Sequence, residues 1–220
     1  MGDVARRCAE LLEGRRLGHP LRVAIDGITA AGKTTFADAV AVELRQLGVP
    51  TIRVSMDGFH HPRSVRYRQG RGSADGYYED AYDLDSVHRW LLEPLGPGGD
   101  RRYRSAVIDL ARDTPVDDQP VEADAGSVLV VDGSFLQKPV LHGCWDVVVF
   151  LRASFDAAAE RGARRDAEAL GGLDAARAAF RTRYHAAQRR YLSECDPESA
   201  ADVVVDVEDP GAPRLVRADT

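Results

Sequence analysis

The sequence has few cysteines, no long apolar run and no excess of positive charge. Its three cysteines, Cys8, Cys144 and Cys195, lie far apart, which indicates reduced thiols in a cytoplasm rather than a disulfide framework or a zinc site. No stretch has transmembrane length and residues 1–20 carry charges throughout, so we expect neither a membrane partner nor a signal peptide. The formal net charge of −6 disfavours a nucleic-acid partner.

The rest of the composition fits one domain with a full apolar core. The chain has 220 residues, 44% of them hydrophobic, and no internal repeat. Apolar runs alternate with helical patterns, and near-continuous apolar runs are typical of strands buried on both faces of a parallel sheet. The predicted strands are 21–26, 51–55, 127–132, 145–151 and 202–207. This order of elements predicts an α/β fold.

One segment, residues 22–35 (RVAIDGITAAGKTT), organises the chain. Its apolar start predicts a strand, and Gly27 to Thr34 fit the pattern G-x-x-x-x-G-K-[ST]. The following residues predict a helix over 33–48. A strand, a glycine-rich loop and a helix in this order form a binding site for the phosphates of a nucleotide. The alternative is a chance glycine turn before a helix.

The phosphate loop assigns roles to individual residues. Its backbone N–H groups converge on phosphate oxygens, and Lys33 reaches the β- and γ-phosphates. The Thr34 hydroxyl is a ligand for Mg²⁺, and Thr35 faces the α-phosphate. The predicted nucleotide-binding residues of the loop are Gly27, Thr29, Ala30, Ala31, Gly32, Lys33, Thr34 and Thr35.

The second predicted strand ends in Met56-Asp57-Gly58-Phe59-His60-His61. A carboxylate at the carboxyl end of a parallel strand points into the ligand crevice of an open α/β sheet. Asp57 is therefore the candidate general base that accepts a proton from a substrate hydroxyl. The alternative is that Asp57 caps a turn. His60 is a candidate substrate contact, although a loop histidine is often only solvated.

Residues 62–83 are polar and glycine-rich, and they carry four arginines, which are followed by Tyr77, Tyr78 and Tyr82. Binding residues concentrate on loops, so this segment is either a substrate-covering loop, with Tyr78 as a contact, or a solvated surface loop. A small substrate-binding hairpin is predicted from Arg101–Leu110 and its return over 111–126. Within it, Asp109 either binds substrate or ends a strand.

Two further segments complete the candidate site. The run SVLVVD ends in Asp132, and a carboxylate at this place in P-loop proteins holds Mg²⁺, usually through water. Residues 153–195 predict two helices, and Arg161, Arg164 and Arg165 share one face of the first. These arginines either close over the phosphates or keep a helix face in water.

Together these motifs resemble the uridine kinase and phosphoribulokinase group of P-loop kinases. The resemblance rests on GITAAGKTT, SMDGFH, VLVVDG, WDVVVFLRASFDAAAERGARRD and ADVVVD, and it covers about residues 18–207. It implies a three-layer P-loop NTPase fold with five parallel strands in the order 2-3-1-4-5. It also implies a substrate-covering insertion over about 58–126 and a helical lid over about 153–195. Asp57 matches the catalytic aspartate of the family, and Arg161, Arg164 and Arg165 match its lid arginines.

The resemblance implies ATP- and Mg²⁺-dependent phosphoryl transfer to a hydroxyl, with a nucleoside as the first expectation. Two departures leave the acceptor open. The family's Tyr-Asp-Phe stretch is Val107–Leu110 here, with only Asp109 kept, and its Walker B residue is often Glu where this chain has Asp132. A pantothenate-like compound or a sugar is the alternative acceptor. A P-loop switch without acceptor is a third reading, but its Asn-Lys-x-Asp segment is missing. Formation of a homo-oligomer is left open.

Overall fold

The apolar runs of the sequence assemble into one six-stranded sheet in the computed structural model, which describes residues 2–219. The sheet order is β10-β9-β8-β1-β7-β2. In chain order, the strands β1 to β10 are Leu21–Gly27, Thr51–Ser55, Arg102–Tyr103, Ile108–Asp109, Thr114–Pro115, Val121–Glu122, Val128–Asp132, Val147–Arg152, Val203–Asp206 and Arg214–Ala218.

Five of the six strands run parallel, and their order is the predicted 2-3-1-4-5. Strand β1 lies between β7 and β8, while β2 and β9 pair with the outer sides of those two strands. A sixth strand, Arg214–Ala218, extends this parallel sheet, because it pairs antiparallel with β9. The sequence showed no pattern there, since an edge strand with one partner needs little apolar alternation and only Leu215 and Ala218 of this strand pack on the core.

Helices cover both faces of the sheet. The α-helices α1 to α9 are, in chain order, Gly2–Glu13, Lys33–Gln46, Arg63–Arg66, Ala74–Asp80, Leu84–Val87, Phe155–Asp166, Leu173–Ala179, His185–Cys195 and Pro197–Ala200. A π-helix over His88–Leu92 continues α5, and a second over Phe180–Tyr184 joins α7 to α8. A membrane-spanning helix is absent from residues 2–219, since none of the helices there has the needed length and apolarity.

Two apolar cores form because successive side chains of a strand point to opposite faces. On one face, Val23 and Ile25 of β1 pack with α1 and α2. On the other, Ala24 packs with the segment of α5 and its π-helix, including Leu91 and Leu92. Each large apolar side chain buried in this way contributes about 1.5–3 kcal/mol. The three-layer arrangement predicted from the family resemblance is therefore present.

The insertion between β2 and β7 is more ordered than predicted. The expected hairpin is present as two short antiparallel ribbons, β3 with β6 and β4 with β5. The expected loop over 62–83 contains helix α4, whose N-terminus is capped because the Ser73 hydroxyl accepts a hydrogen bond from the Gly76 N–H at 2.9 Å. Tyr77 and Tyr78 of α4 are buried against Phe135. This apolar contact packs a helix whose sequence is otherwise mostly polar.

The three cysteines are free thiols, and Cys8 is buried. The Cys8 side chain packs in the core between α1 and the sheet. Burial raises the pKa of its thiol to about 12, so the thiolate form is strongly disfavoured.

Helix α6 and the π-helix over Phe180–Tyr184 pack closely at Gly162, and this contact generates a prediction. A Cβ at position 162 would lie 2.0 Å from Cζ of the fully buried Phe180. We expect Gly162→Ala to lower the free energy of unfolding by about 1–3 kcal/mol, measured by urea denaturation, because the overpacked ring must move. Gly14→Ala, at a site with open space, is the matched control and should be nearly neutral. Equal stability of the two variants would contradict the close packing.

Candidate active site

The carboxyl ends of β1, β2 and β7 meet at one edge of the sheet, where a cleft of about 380 Å³ opens. The cleft is bounded by the loop after β1, the turn after β2, the insertion and the lid helices. Its polar and charged lining includes Thr29, Lys33, Thr34, Asp57, His60, Arg66, Asp132, Arg165, Asp166 and Arg183. Residues far apart in sequence thus share one site.

The loop after β1 has the backbone shape that a phosphate site needs. Gly27 has φ 150°, and a Cβ there would lie 2.8 Å from the Leu151 carbonyl oxygen. Gly32 is left-handed, with φ 98°, and it precedes helix α2 without a side chain to cap the helix. The N–H groups of the first turn of α2, from Lys33 to Thr35, therefore remain available for an anion.

Lys33 folds back over this loop. Its Nζ donates to the carbonyl oxygens of Gly27 at 3.0 Å and Ile28 at 2.9 Å. Burial lowers the pKa of Lys33 to about 8, although the carboxylates of Asp26, Asp132 and Asp57 oppose the shift. The ammonium group is poorly solvated and faces several carboxylates, so an incoming phosphate would gain a strong partner.

Thr34 and Asp132 lie together on the side of the cleft predicted for Mg²⁺. The Thr34 hydroxyl donates to Asp132 Oδ2 at 2.6 Å. Asp132 Oδ1 is buried and lies 2.7 Å from Arg53 Nη2, but the geometry of that contact leaves it without a hydrogen bond from any described residue. A hydroxyl and a carboxylate with spare acceptor capacity suit Mg²⁺, which takes its other ligands from phosphate and water. Among the described residues, no group of three or more His, Cys, Asp or Glu side chains is arranged so that it could hold a metal ion.

Asp57 occupies the short helical turn that follows β2. Its side chain is 70% exposed and lines the same cleft as Lys33. The ring of His60 lies beside it, with Nδ1 3.9 Å from Asp57 Oδ1. Burial lowers the pKa of His60, with Asp57 opposing and Arg66 and Arg183 assisting, so the neutral imidazole is favoured. A carboxylate in this position can accept a proton from a bound hydroxyl.

The three predicted lid arginines have different surroundings. Arg165 lines the cleft beside Asp166, whose carboxylate lies 2.7 Å from its Nε. Arg161 donates to the carbonyl oxygens of Glu208 at 3.0 Å and Ala30 at 3.4 Å, so it ties the lid to the phosphate loop instead of facing the cleft. Arg164 lies outside the cleft in an ion pair with Glu160. Only Arg165 is thus placed to reach a phosphate directly.

Two predicted substrate contacts lie outside the cleft, and their chain neighbours line it instead. The Tyr78 hydroxyl donates to Glu194 at 2.7 Å, while Tyr77 faces the cleft. Asp109 accepts hydrogen bonds from its own turn and from the Arg112 side chain, while Leu110 faces the cleft. This corrects the assignment of Tyr78 and Asp109, because neighbouring positions on a helix or strand point in different directions.

A buried network beneath the phosphate loop was missed from the sequence. Asp26 of β1 is fully buried and accepts hydrogen bonds from Gly27 N–H at 2.7 Å, from Gln137 Nε2 at 3.1 Å and from the Tyr191 hydroxyl. Burial raises the pKa of Asp26 despite these three donors. The only sequence signal was an acidic residue inside an apolar strand run, and its two side-chain partners lie more than 100 positions away.

Helix α8 carries two more contacts to the same loop. Gln188 Nε2 donates to Thr29 Oγ1 at 3.2 Å, and the His185 ring lies 3.4 Å from the Thr29 carbonyl oxygen. His185, Gln188 and Tyr191 recur at intervals of three, so they share one face of the helix. That face positions the phosphate loop.

Tyr191 allows a direct test of this network. Its hydroxyl donates to Asp26 and accepts from the Gln137 backbone N–H at 2.9 Å. We expect Tyr191→Phe to lower the free energy of unfolding by about 1–3 kcal/mol, measured in urea, because two buried polar groups lose a partner. Tyr103→Phe removes a part-exposed hydroxyl with no hydrogen bond to the described residues, and it should change stability by less than about 0.5 kcal/mol. Wild-type stability of Tyr191→Phe would rule out a supporting role for the network.

Neither a family model nor a curated protein matches the sequence. Solved structures do match the fold. A structure described as a possible uridine kinase from Bacillus stearothermophilus has a TM-score of 0.71 at 23% identity, over 92% of this chain and 97% of that chain. A candidate fructose transport system kinase from Silicibacter sp. TM1040 has a TM-score of 0.69 at 22% identity, over 86% of this chain and 94% of that chain.

A third match is the D-glycerate 3-kinase from Cryptococcus neoformans var. grubii serotype A, with a TM-score of 0.59 at 13% identity, over 98% of this chain and 100% of that chain. The similarity extends over nearly the whole length of each of these proteins. The chain therefore has the α/β fold of these kinase structures, which confirms the predicted fold class.

Proposed function

We propose that this protein is a P-loop kinase that transfers the γ-phosphoryl group of ATP to a hydroxyl group of a small molecule. The observation that carries the proposal is that Lys33 of the phosphate loop and the Asp57 carboxylate line one cleft. A nucleotide held by the loop and an alcohol beside Asp57 would be neighbours there. The kinase descriptions of the three similar structures support the same reaction type.

The donor side of the cleft supplies positive charge and backbone donors. The loop over 27–32 and the start of α2 would hold the phosphates, with the Lys33 ammonium group at the β- and γ-phosphate oxygens. Thr34 and Asp132 would hold Mg²⁺, which neutralises charge on those oxygens when bound. The Arg165 guanidinium of the lid lines the same cleft as Lys33 and would add positive charge to this side.

On the acceptor side, Asp57 acts on the hydroxyl. The hydroxyl oxygen attacks the γ-phosphorus, a new P–O bond forms, and the bond to the β–γ bridging oxygen breaks so that ADP leaves. The proton of the hydroxyl passes to the Asp57 carboxylate. Positioning and electrostatic stabilisation supply most of the acceleration in this chemistry, so the main task of the fold is to hold the two reactants in line.

A P-loop switch without acceptor is less well supported. A switch that only hydrolyses nucleotide has no evident use for an exposed carboxylate that lines the same cleft as the phosphate loop. Acceptor-dependent turnover separates the two functions, because a kinase consumes ATP faster when its acceptor is added.

Asp57→Asn tests the proposed base. We expect phosphoryl transfer to fall by about 10²–10⁴-fold while the affinity for an ATP analogue stays nearly unchanged, because the amide cannot accept the proton. Turnover of acceptor and the dissociation constant of the analogue are measured in parallel. Asp118→Asn, an exposed carboxylate of the insertion, is the matched control. A collapse of nucleotide affinity in Asp57→Asn would assign the residue to metal binding or structure.

Lys33→Ala tests the phosphate loop. We expect turnover to fall by several orders of magnitude, since the variant loses the ammonium group that stabilises charge on the transferring phosphoryl group. Steady-state kinetics at saturating nucleotide measures the effect, and circular dichroism checks the fold. A near-normal rate would remove the phosphate loop from the mechanism.

A further inference from the structure

One wall of the cleft is built from an arginine surrounded by tyrosine rings. The Cζ atom of Arg183 lies 5.4 Å from the ring centre of Tyr67, 5.3 Å from that of Tyr77 and 4.9 Å from that of Tyr184. All four residues line the cleft. Aromatic faces attract a guanidinium and hold its plane, so Arg183 has a fixed position without a carboxylate partner.

Arg183 differs from the other arginines of the cleft in being unpaired. Arg66 is held by Asp113 at 2.9 Å, and Arg165 is held by Asp166. Among residues 2–219, Arg183 has no carboxylate within 4.0 Å, and its one side-chain hydrogen bond, to the Tyr184 hydroxyl, is 3.4 Å long. Its Nε atom is buried and has no hydrogen-bond partner.

The backbone at Arg183 has an uncommon form. Arg183 and Tyr184 belong to the π-helix over Phe180–Tyr184, which interrupts an otherwise α-helical lid segment. Single π-turns inside α-helices are rare and occur frequently at functional sites. The extra residue in this turn changes which side chains face the cleft, and Arg183 and Tyr184 are the two that do.

Arg183 lines the same cleft as Asp57 and the neighbouring His60. Arg183 and Arg66 both contribute to the lowered pKa of His60. Burial alone would raise the pKa of Tyr67, but a hydrogen bond from Arg66 and the charges of Arg66, Arg183 and Arg71 outweigh it and lower that pKa. Arg183 therefore adds positive charge to the part of the cleft that contains His60 and Tyr67.

We propose that the phosphoryl acceptor is an anionic alcohol, and that Arg183 binds its phosphate or carboxylate group while its hydroxyl lies at Asp57. This inference rests on the proposed kinase function. The planar guanidinium matches both kinds of anion, and among the described residues Arg183 has no carboxylate partner that the anion would have to displace. A neutral acceptor would leave this cleft-lining positive charge without a counter-charge, so the site favours the charged acceptor.

Matched pairs of acceptors test the inference. The probes are D-glycerate against glycerol, D-ribose 5-phosphate against D-ribose, and pantothenate against pantothenol, each assayed for ATP-dependent phosphorylation. We expect the charged member of at least one pair to exceed its neutral partner by about 10²-fold or more in kcat/KM. The carboxylate and phosphate arms distinguish which anion the site prefers.

Substitutions assign the preference to Arg183. Arg183→Gln should lower kcat/KM for the charged acceptor by about 10²-fold, mainly through KM, because a charge-assisted bidentate contact is lost. Arg183→Lys should recover part of the loss, and it serves as the second variant if Arg183→Gln folds poorly. The matched control is Arg181→Gln, an exposed position of the same π-helix that does not line the cleft.

A binding measurement separates failure of this inference from failure of the kinase proposal. The enzyme is saturated with Mg²⁺ and a non-hydrolysable ATP analogue, so that the phosphate loop is filled, and the charged probes are then titrated by calorimetry. Arg183-dependent binding without turnover would uphold the anion site and reject the kinase function. Turnover of neutral acceptors alone, or an unchanged Arg183→Gln variant, would uphold the kinase and overturn the inference. Absence of both binding and turnover for every charged probe would also overturn it.

Discussion

The Asp26 carboxylate lies beneath the phosphate loop and joins three distant parts of the chain. It accepts hydrogen bonds from the loop itself, from Gln137 after β7 and from Tyr191 of the lid. A carboxylate is expensive to bury, and it stays in place because each donor offsets part of the desolvation cost. The lid helix α8, the phosphate loop and the loop after β7 are therefore all hydrogen-bonded to the same buried carboxylate. A change in any of them alters the position of the phosphate loop.

The charges of the cleft are arranged in two groups around this buried carboxylate. Lys33, with Thr34 and Asp132 beside it, faces the region proposed for the nucleotide phosphates. Arg183 and its tyrosines form the opposite group, next to Asp57 and His60. Each group contains a positive side chain, and the exposed Asp57 carboxylate lines the same cleft. This arrangement suits transfer between two anionic reactants, because each needs compensation before they can approach one another.

The two charged groups occur in one cleft because the insertion and the lid both contribute residues to its wall. Tyr67 and Tyr77 come from the insertion, whereas Arg183 and Tyr184 come from the lid. Their contacts close the wall of the cleft from both sides, and Phe135 with Tyr191 packs beneath them. The acceptor side thus depends on the packing of two segments that share no local sequence pattern.

The elements that could be predicted from sequence are those specified by neighbouring residues. The phosphate loop follows from its glycines, from Lys33 and from the strand and helix around it. The position of Asp57 follows from the rule that carboxyl ends of parallel strands meet at one edge. Helix α4 and strand β10 could not be predicted, because a polar helix anchored by two tyrosines and an edge strand with one partner carry little periodicity.

There is a physical reason why some features could be predicted from the sequence and others could not. Local steric and hydrogen-bonding rules act over a few residues. The sequence alone therefore specifies the phosphate loop, the inner strands and the position of Asp57 after β2. Contacts over a hundred positions or more, such as Asp26 with Tyr191, and choices between adjacent side chains, such as Tyr77 over Tyr78, depend on how whole segments pack. Whether Arg161, Arg165 or Arg183 faces the cleft was decided in the same way, by nearby carboxylates, carbonyl groups and aromatic rings that only the folded chain brings together.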